Sequence, residues 1–164
     1  MINLEAKIKL LAEKKLIGQH LEMTFSRNRT FELWRNFMPI RKEIINNLTA
    51  DLYSLQVYGP SFDFSKFNPD EPFEKWAAIE VANFNTVPAG MDTFIIPGGL
   101  YAVFIHKGAA SEGPRTFGYI FGSWLPTSGY SIDCRPHFEI LGEKYKNEDP
   151  SSEEEIWIPI KQII

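Results

Sequence analysis

The order of predicted secondary-structure elements in the first half of this 164-residue chain recurs in the second half. The spacing of apolar residues indicates strand, strand, helix, strand and strand in both halves. Sliding Leu16 by 84 positions places it on Leu100 with the elements still roughly in register. This indicates an internal duplication. Because the length is that of one domain, we predict a single α+β domain over 1–164, with repeats at about 4–84 and 87–164.

The first repeat begins with two strands that we predict to form a hairpin. Segment 6–12 alternates loosely between polar and apolar residues, and 16–25 is typical of a second strand after the charged residues 13–15. Thr30 can cap a helix that Pro39 should kink or split. The apolar positions of this helix are Trp34, Phe37, Met38, Ile44, Ile45 and Leu48. Strands at 52–58 and 73–82, joined by a loop rich in Pro, Asp and Asn, complete the repeat.

The second repeat opens with a predicted hairpin of strands 91–96 and 100–106 around the turn 97–99. An amphipathic helix follows and should stop near Pro126, with Gly129 available for the left-handed turn that closes it. The residues of its apolar face are Phe117, Ile120, Phe121, Trp124 and Leu125. Strands at 137–144 and 154–161 finish the chain.

Composition and charge exclude several classes of function. The net charge of −4 and the lack of a Lys and Arg stripe speak against direct nucleic-acid binding. The single Cys134 cannot form an internal disulfide, residues 1–10 carry charges where a signal peptide is apolar, and no stretch has membrane-spanning length. We therefore expect a cytoplasmic protein that does not contact membranes. The 13 Phe, 6 Tyr and 4 Trp fit either an aromatic-rich core or an aromatic binding site.

Several segments between 87 and 161 together resemble one known family, the GyrI-like small-molecule-binding domain. This domain is the effector-binding part of AraC-type and MerR-type multidrug regulators. The matching segments are 96–108, Trp124-Leu-Pro-Thr-Ser-Gly-Tyr130, Pro136-His-Phe-Glu139 and Glu155-Ile-Trp-Ile-Pro-Ile160. The first half fits less well, but Trp76-Ala-Ala-Ile-Glu-Val81 stands where the family's first repeat ends.

The resemblance implies a curved antiparallel sheet with helices packed on it and a ligand pocket between the two repeats. Such a pocket is lined by aromatic residues and contains a glutamate. Family members bind bulky, lipophilic and often cationic compounds, and some are fused to a helix-turn-helix module, for which this chain has no spare length. Other relatives modulate gyrase or toxins, and some resemble hydrolases of electrophilic ring compounds.

Glu155 stands where the resemblance places the pocket glutamate. On a strand, Glu155, Trp157 and Pro159 share one face, so a carboxylate and an indole point the same way. A carboxylate beside aromatic faces is a good receptor for a cation. The alternative is that Glu153, Glu154 and Glu155 form an exposed acidic run before the strand.

The aromatic residues that we predict around the pocket lie in the matched segments, and each of them fits a place in the core equally well. They are Trp157, Trp76, Tyr101, Phe138 and, at the edge of the cavity, Tyr119. Glu80 and Glu139 are further acidic candidates, although a salt bridge at the rim is the commoner role for Glu139. The three histidines lack metal-ligand spacing, so we expect no metal and no cofactor.

We expect a binding protein for lipophilic, aromatic or cationic compounds that acts in sensing or sequestration. A hydrolase is the first alternative, in which Glu155 activates water or protonates a leaving group with Tyr101 or Tyr119 as a polar partner. A modulator that binds a protein partner, such as a gyrase inhibitor, is the second alternative. Binding ranks first because it needs only a pocket, whereas catalysis needs a precise geometry.

Overall fold

The computed structural model describes residues 4–163, and this part of the chain contains one antiparallel sheet system of nine strands. The strands are β1 (Lys7–Leu11), β2 (Lys14–Met23), β3 (Leu52–Val57), β4 (Phe73–Val81), β5 (Asp92–Ile96), β6 (Gly99–Lys107), β7 (Tyr130–Ile132), β8 (His137–Leu141) and β9 (Glu153–Gln162). The helices are α1 (Thr30–Phe37), α2 (Gly113–Tyr119) and α3 (Leu125–Thr127). Short 3₁₀ turns lie at Arg41–Glu43 and Ala110–Glu112, and a π-helical segment, Ile120–Trp124, joins α2 to α3.

The strands follow the order β1-β6-β9-β8-β3-β4-β2-β5, with β7 paired to β9. The repeated order of strand, strand, helix, strand and strand is present in both halves, and β7 is an additional short strand in the second. The halves are joined by the pairs β1–β6, β2–β5 and β3–β8, and Leu55 lies opposite Phe138 in the last of these. The predicted curved antiparallel α+β fold is confirmed.

The two predicted hairpins are wrong. Strand β1 pairs with β6 rather than with β2, and β5 pairs with β2 rather than with β6. Leu11 lies opposite Gly99 and Lys14 opposite Ile96, so the same register runs through both connections. Each predicted hairpin is therefore one long, bent strand. The two bent strands pair with each other because a continuous ladder satisfies more backbone groups than two separate turns would.

The first helix is shorter than predicted. It ends at Phe37, before Pro39, and only the 3₁₀ turn follows, so the predicted split at this proline is confirmed. Thr30 is the first helical residue rather than the cap, and its backbone N–H donates to the side chain of Asn28 at 2.9 Å. Ile45, which was predicted on the apolar helix face, is 73% exposed beyond the helix.

The second helical region begins at Gly113 and ends at Thr127, one residue after Pro126. Gly129 has a φ of +82°, so the predicted left-handed closing turn is confirmed. Within residues 4–163, no helix is long and apolar enough to span a membrane.

The sheet has two faces with different roles. The outer face carries the helices: α1 packs on β2 and β4 of the first half, and α2 with its π-helical extension packs on β6 and β9 of the second. The inner face carries a buried cluster to which both halves contribute. Its members are Leu11, Leu16, Tyr53, Leu55, Trp76, Ala78, Ile96, Tyr101, Val103, Phe138, Ile140 and Trp157. The inner face is thus the surface on which the two repeats meet.

Candidate functional site

An aromatic group occupies the second half of the inner face. The rings of Phe138 and Trp157 stack at a centroid distance of 5.3 Å, and Tyr101 meets both rings edge-on at 5.3 and 5.8 Å. Tyr101 and Phe138 are fully buried, whereas Trp157 retains 7% exposure. Trp76 belongs to the same cluster and contacts Phe94 at 5.1 Å. Four of the five predicted aromatic residues therefore lie on the inner face, where Tyr101 and Phe138 form the floor of the aromatic group.

Glu155 lies next to this group and is oriented by it. The indole Nε1 of Trp157 donates to Glu155 Oε1 at 3.0 Å, as expected for two residues on one face of β9. The side chain of Glu155 is partly buried, so the exposed acidic run is not its environment. Among residues 4–163, no Lys, Arg or His nitrogen lies within 4.0 Å of this carboxylate. Glu155 is a fixed negative charge that no cation of the described chain neutralises by direct contact.

Two clefts of opposite charge open on either side of Glu155. The larger cleft, of about 600 Å³, is lined by Leu4, Glu5, Lys7, Lys9, Val103, Ile105, Lys107, Thr116 and Glu155. The smaller cleft, of about 350 Å³, is lined by Asp51, Ile105, Ile140, Gly142, Glu143, Lys144, Glu153, Glu154 and Glu155. The larger cleft therefore adds three lysines and one glutamate to Glu155, and the smaller one adds four carboxylates and one lysine. Both volumes suit small organic molecules.

Cationic side chains cover three aromatic rings of the inner face. The Lys9 ammonium lies 5.6 Å from the centre of the Trp157 ring, and the Arg135 guanidinium lies 4.7 Å from that of Tyr101. Lys14 lies 5.5 Å from the Tyr53 ring and forms a salt bridge with Glu80 at 3.2 Å. Such cation–π contacts are attractive because the ring face carries negative potential. Sequence reasoning missed these cations, since each comes from a segment remote from its ring.

The first half contains a second pair of glutamate and tryptophan. The indole Nε1 of Trp76 donates to Glu74, two residues earlier on β4, as Trp157 does to Glu155 on β9. Here the ring of His20 stacks on Trp76 at 4.4 Å and 22°. His20 Nδ1 lies 3.2 Å from Glu74 and Nε2 lies 2.9 Å from Asp92. Sequence analysis overlooked this pair, although Glu-x-Trp is legible at 74–76 and at 155–157.

Three other predicted candidates are not brought to Glu155. Tyr119 packs on the outer face with the cluster under α2, and its hydroxyl donates to the carbonyl of Leu4 at 3.4 Å. Glu80 binds Lys14 and accepts from the Tyr53 hydroxyl at 3.2 Å. Glu139 lies on the outer face, because its neighbour Phe138 points to the inner one.

Glu139 is not a rim salt bridge either. Its carboxylate accepts from Gln56 Nε2 at 3.3 Å, and no cationic nitrogen of residues 4–163 lies within salt-bridge distance. Burial raises its pKa to about 7, opposed by the charge of Lys75 and assisted by that of Glu154. Burial lowers the pKa of neighbouring His137 to about 3. The partly buried Glu139 and the buried Gln56 and His137 form a polar group on the outer face, separate from Glu155.

Comparison with known proteins shows what this chain is similar to. BrlR, a transcriptional regulator of Pseudomonas aeruginosa, is 29% identical over 130 residues, which are 79% of this chain and 45% of BrlR. The chain thus spans less than half the length of that relative. The structure of SAV2435 bound to tetraphenylphosphonium superposes with a TM-score of 0.73 at 16% identity, over 96% of this chain and 94% of that one. The EcmrR C-terminal domain gives 0.73 at 15% identity, over 99% and 100%.

Structural likeness at such low identity establishes the fold alone, and the sequence match to a family carries the assignment. The profile of the GyrI-like small molecule binding domain matches residues 4–161, nearly the whole chain. The chain therefore belongs to the GyrI-like small-molecule-binding domain family.

Proposed function

We propose that the inner face of this domain binds a lipophilic, aromatic or cationic small molecule, in sensing or sequestration, with Glu155 as the carboxylate partner of the ligand. The observation that carries the proposal is the partly buried Glu155 carboxylate, held by the Trp157 indole and lacking a cationic partner within 4.0 Å among residues 4–163. An unneutralised charge in a partly desolvated site attracts an opposite charge more strongly than an exposed one does.

The surroundings of Glu155 support a ligand that combines apolar surface with positive charge. Of the aromatic group, Trp157 keeps 7% exposure beside Glu155, and a ring face adds to the attraction of a cation by about 0.5–2 kcal/mol. The carboxylate-lined cleft beside Glu155 favours entry of a cation from that side. The likeness to SAV2435, whose structure contains a lipophilic cation, supports the same ligand class.

The geometry favours binding over hydrolysis. The hydrolase alternative requires a second polar group beside Glu155, and Tyr101 and Tyr119 were its candidates. The Tyr101 hydroxyl donates to the carbonyl of Pro136 at 3.0 Å, and Tyr119 lies on the outer face. Neither hydroxyl is placed to share a proton with Glu155, so we propose a binding role for this carboxylate.

The proposal is tested by calorimetric titration with tetraphenylphosphonium and with a neutral aromatic compound of similar size. Glu155→Gln keeps the shape of the side chain and removes its charge. Two opposite charges about 4 Å apart attract by about 1–4 kcal/mol between the limits of water and a protein surface. We therefore expect the cation to bind about tenfold or more weakly to Glu155→Gln and the neutral compound to be little affected.

Glu143→Gln is the matched control, because Glu143 is an exposed carboxylate at the border of the same acidic cleft. Its loss removes one charge from the region but leaves the Glu155–Trp157 pair intact. Equal weakening in both variants would show that the cation responds to the general field of the cleft. Unchanged affinity in Glu155→Gln, or no binding to the wild type, would refute the role of Glu155.

A further inference from the structure

The two Glu-x-Trp pairs occupy corresponding positions in the two halves, and each tryptophan is covered by a different nitrogen-bearing side chain. Glu74 and Trp76 lie on β4, the last strand of the first half, and Glu155 and Trp157 lie on β9, the last strand of the second. Both tryptophans belong to the inner-face cluster. The comparison between them shows what the Glu155–Trp157 pair can accommodate.

In the first half, the position over the tryptophan is filled by a flat nitrogen heterocycle of the chain itself. The His20 ring stacks on Trp76 at 4.4 Å, and its two nitrogens face Glu74 at 3.2 Å and Asp92 at 2.9 Å. A ring nitrogen that carries a proton donates to a carboxylate while the ring presents its face to the indole. This arrangement joins ring stacking and an N–H donor to a carboxylate in one group.

In the second half, Phe138 stacks on the indole, and Lys9 is the cationic group of the described chain whose ammonium lies over it. The ammonium lies 5.6 Å from the Trp157 ring centre, and the Lys9 side chain is exposed. Among residues 4–163, no carboxylate lies within 4.0 Å of this ammonium. His20 is held by two carboxylates, whereas the cation–π contact is the one specific interaction that holds Lys9 within the described chain. Lys9 can therefore leave Trp157 at a small cost in free energy.

We propose that the Glu155–Trp157 pair binds a flat aromatic cation with N–H donors, which displaces Lys9 from Trp157 and stacks there as His20 stacks on Trp76. Suitable groups are an aromatic amidinium, an aromatic guanidinium or a protonated nitrogen heterocycle. An N–H of such a group donates to Glu155 while its ring covers the indole. The inference rests on the proposed function and narrows its ligand class. In this inference, Lys9 competes with the ligand for the face of the Trp157 ring and thereby determines specificity.

The test uses benzamidinium as the planar cation with N–H donors, benzamide as its neutral counterpart and tetraphenylphosphonium as a bulky cation without N–H groups. Dissociation constants are measured by calorimetry for the wild type, Lys9→Met and Lys7→Met. Lys7 is the matched control, because it lies on the same side of β1, borders the same cleft and has no contact with the Trp157 ring among the cation–π pairs of the described chain. Methionine keeps the length of either side chain and removes the charge.

We expect Lys9→Met to bind benzamidinium about two- to fivefold more tightly than the wild type, because the competing cation–π contact is gone. Lys7→Met should show a smaller gain, which measures the effect of net charge alone. Benzamide should respond weakly to either change. Heteronuclear NMR of the Trp157 indole N–H should report the stacking as a shift that benzamidinium induces.

Equal gains in Lys9→Met and Lys7→Met would overturn the role of Lys9. Tight, Glu155-dependent binding of tetraphenylphosphonium without binding of benzamidinium would overturn the ligand class and leave the proposed function standing. If none of the three probes binds to any variant, the proposed function fails together with this inference. The three results are distinct, so failure of this inference alone can be told apart from failure of the proposed function.

Discussion

The glutamate of the outer face gives a prediction that separates structural acids from the ligand site. Burial raises the pKa of Glu139 from the ordinary 4.5 to about 7. Between these two values the folded state holds a proton that the unfolded state has lost. Stability from this group is therefore fully present below pH 4.5 and is lost as the pH rises through 7. The loss amounts to about 3 kcal/mol, because each unit of pKa difference corresponds to about 1.4 kcal/mol.

His137 contributes in the opposite sense over part of this range. Burial lowers its pKa from 6.5 to about 3, so the unfolded state binds a proton below pH 6.5 while the folded state does not. Its contribution to stability is lost as the pH falls from 6.5 towards 3. Between pH 4.5 and 6.5 the pH dependences of these two contributions nearly cancel, and above pH 6.5 the loss from Glu139 is no longer offset by His137. The summed contribution of the two groups should therefore be largest on a plateau between pH 4.5 and 6.5.

Glu139→Gln removes the contribution of Glu139 to the pH dependence of the unfolding free energy and keeps the polar contact with Gln56. The variant should gain stability as the pH rises to 6.5, whereas the wild type loses it on approach to neutrality. The difference in unfolding free energy, variant minus wild type, should increase by about 3 kcal/mol between pH 4.5 and pH 8. For a chain of this size this corresponds to about 6–12 °C in midpoint temperature.

The assay is urea denaturation of both proteins at pH 4.5, 5.5, 6.5 and 8, with the exposed Glu143→Gln as a control whose difference from the wild type should stay nearly constant. Ligand affinity is measured in parallel and should be unchanged in Glu139→Gln, because Glu139 lies on the face opposite Glu155. A stability difference for Glu139→Gln that does not vary with pH would refute the burial argument. Weakened ligand binding in this variant would refute the division between the two faces.

Two further substitutions test the packing of the first half. In Gly18→Ala, the new methyl group would meet the backbone of Ala78 at 2.7 Å. We therefore expect about 3 kcal/mol of destabilisation in thermal or urea unfolding. The control Gly118→Ala has open space around the new methyl group, so it should be neutral or stabilising by up to about 1 kcal/mol. A Gly18→Ala protein as stable as the wild type would contradict the close approach of β2 to β4. His20→Ala should uncover Trp76 and lower the midpoint temperature, and millimolar imidazole at pH 6 should restore part of the loss in this variant alone. If imidazole stabilised the wild type equally, it would not be binding in the space that His20→Ala leaves over Trp76.

The order of elements was predictable because it depends on local spacing, whereas strand pairing was not. The charged residues Glu13 to Lys15 look like a turn, and 97–99 looks like another. Whether the chain reverses or continues at such a point depends on its partner strand, which lies more than 80 residues away. The sequence alone therefore predicted the strands correctly and the hairpins wrongly.

The same limit applies to the candidate site. Glu155 and Trp157 were predicted from one strand, since alternation places both on one face. Lys9 and Arg135 were missed, because only the register of β1 on β6 and the path of the chain before β8 bring them to the rings. Tyr119 was predicted at the cavity edge, but the flank of a helix that faces a sheet cannot be read from spacing alone.

The two halves repeat the same order of elements and present two corresponding positions, and a ligand selects one of them when they differ in the free energy needed to uncover the tryptophan. In the first half, opening Trp76 requires breaking the stack with His20 and the contacts of its two ring nitrogens with Glu74 and Asp92. In the second half, opening Trp157 requires the loss of one exposed cation–π contact with Lys9, which is worth about 0.5–1 kcal/mol. Each contact of His20 with a carboxylate adds to the cost of the first position. A ligand of the same chemistry should therefore enter beside Glu155, although Glu74 offers the same pair of groups.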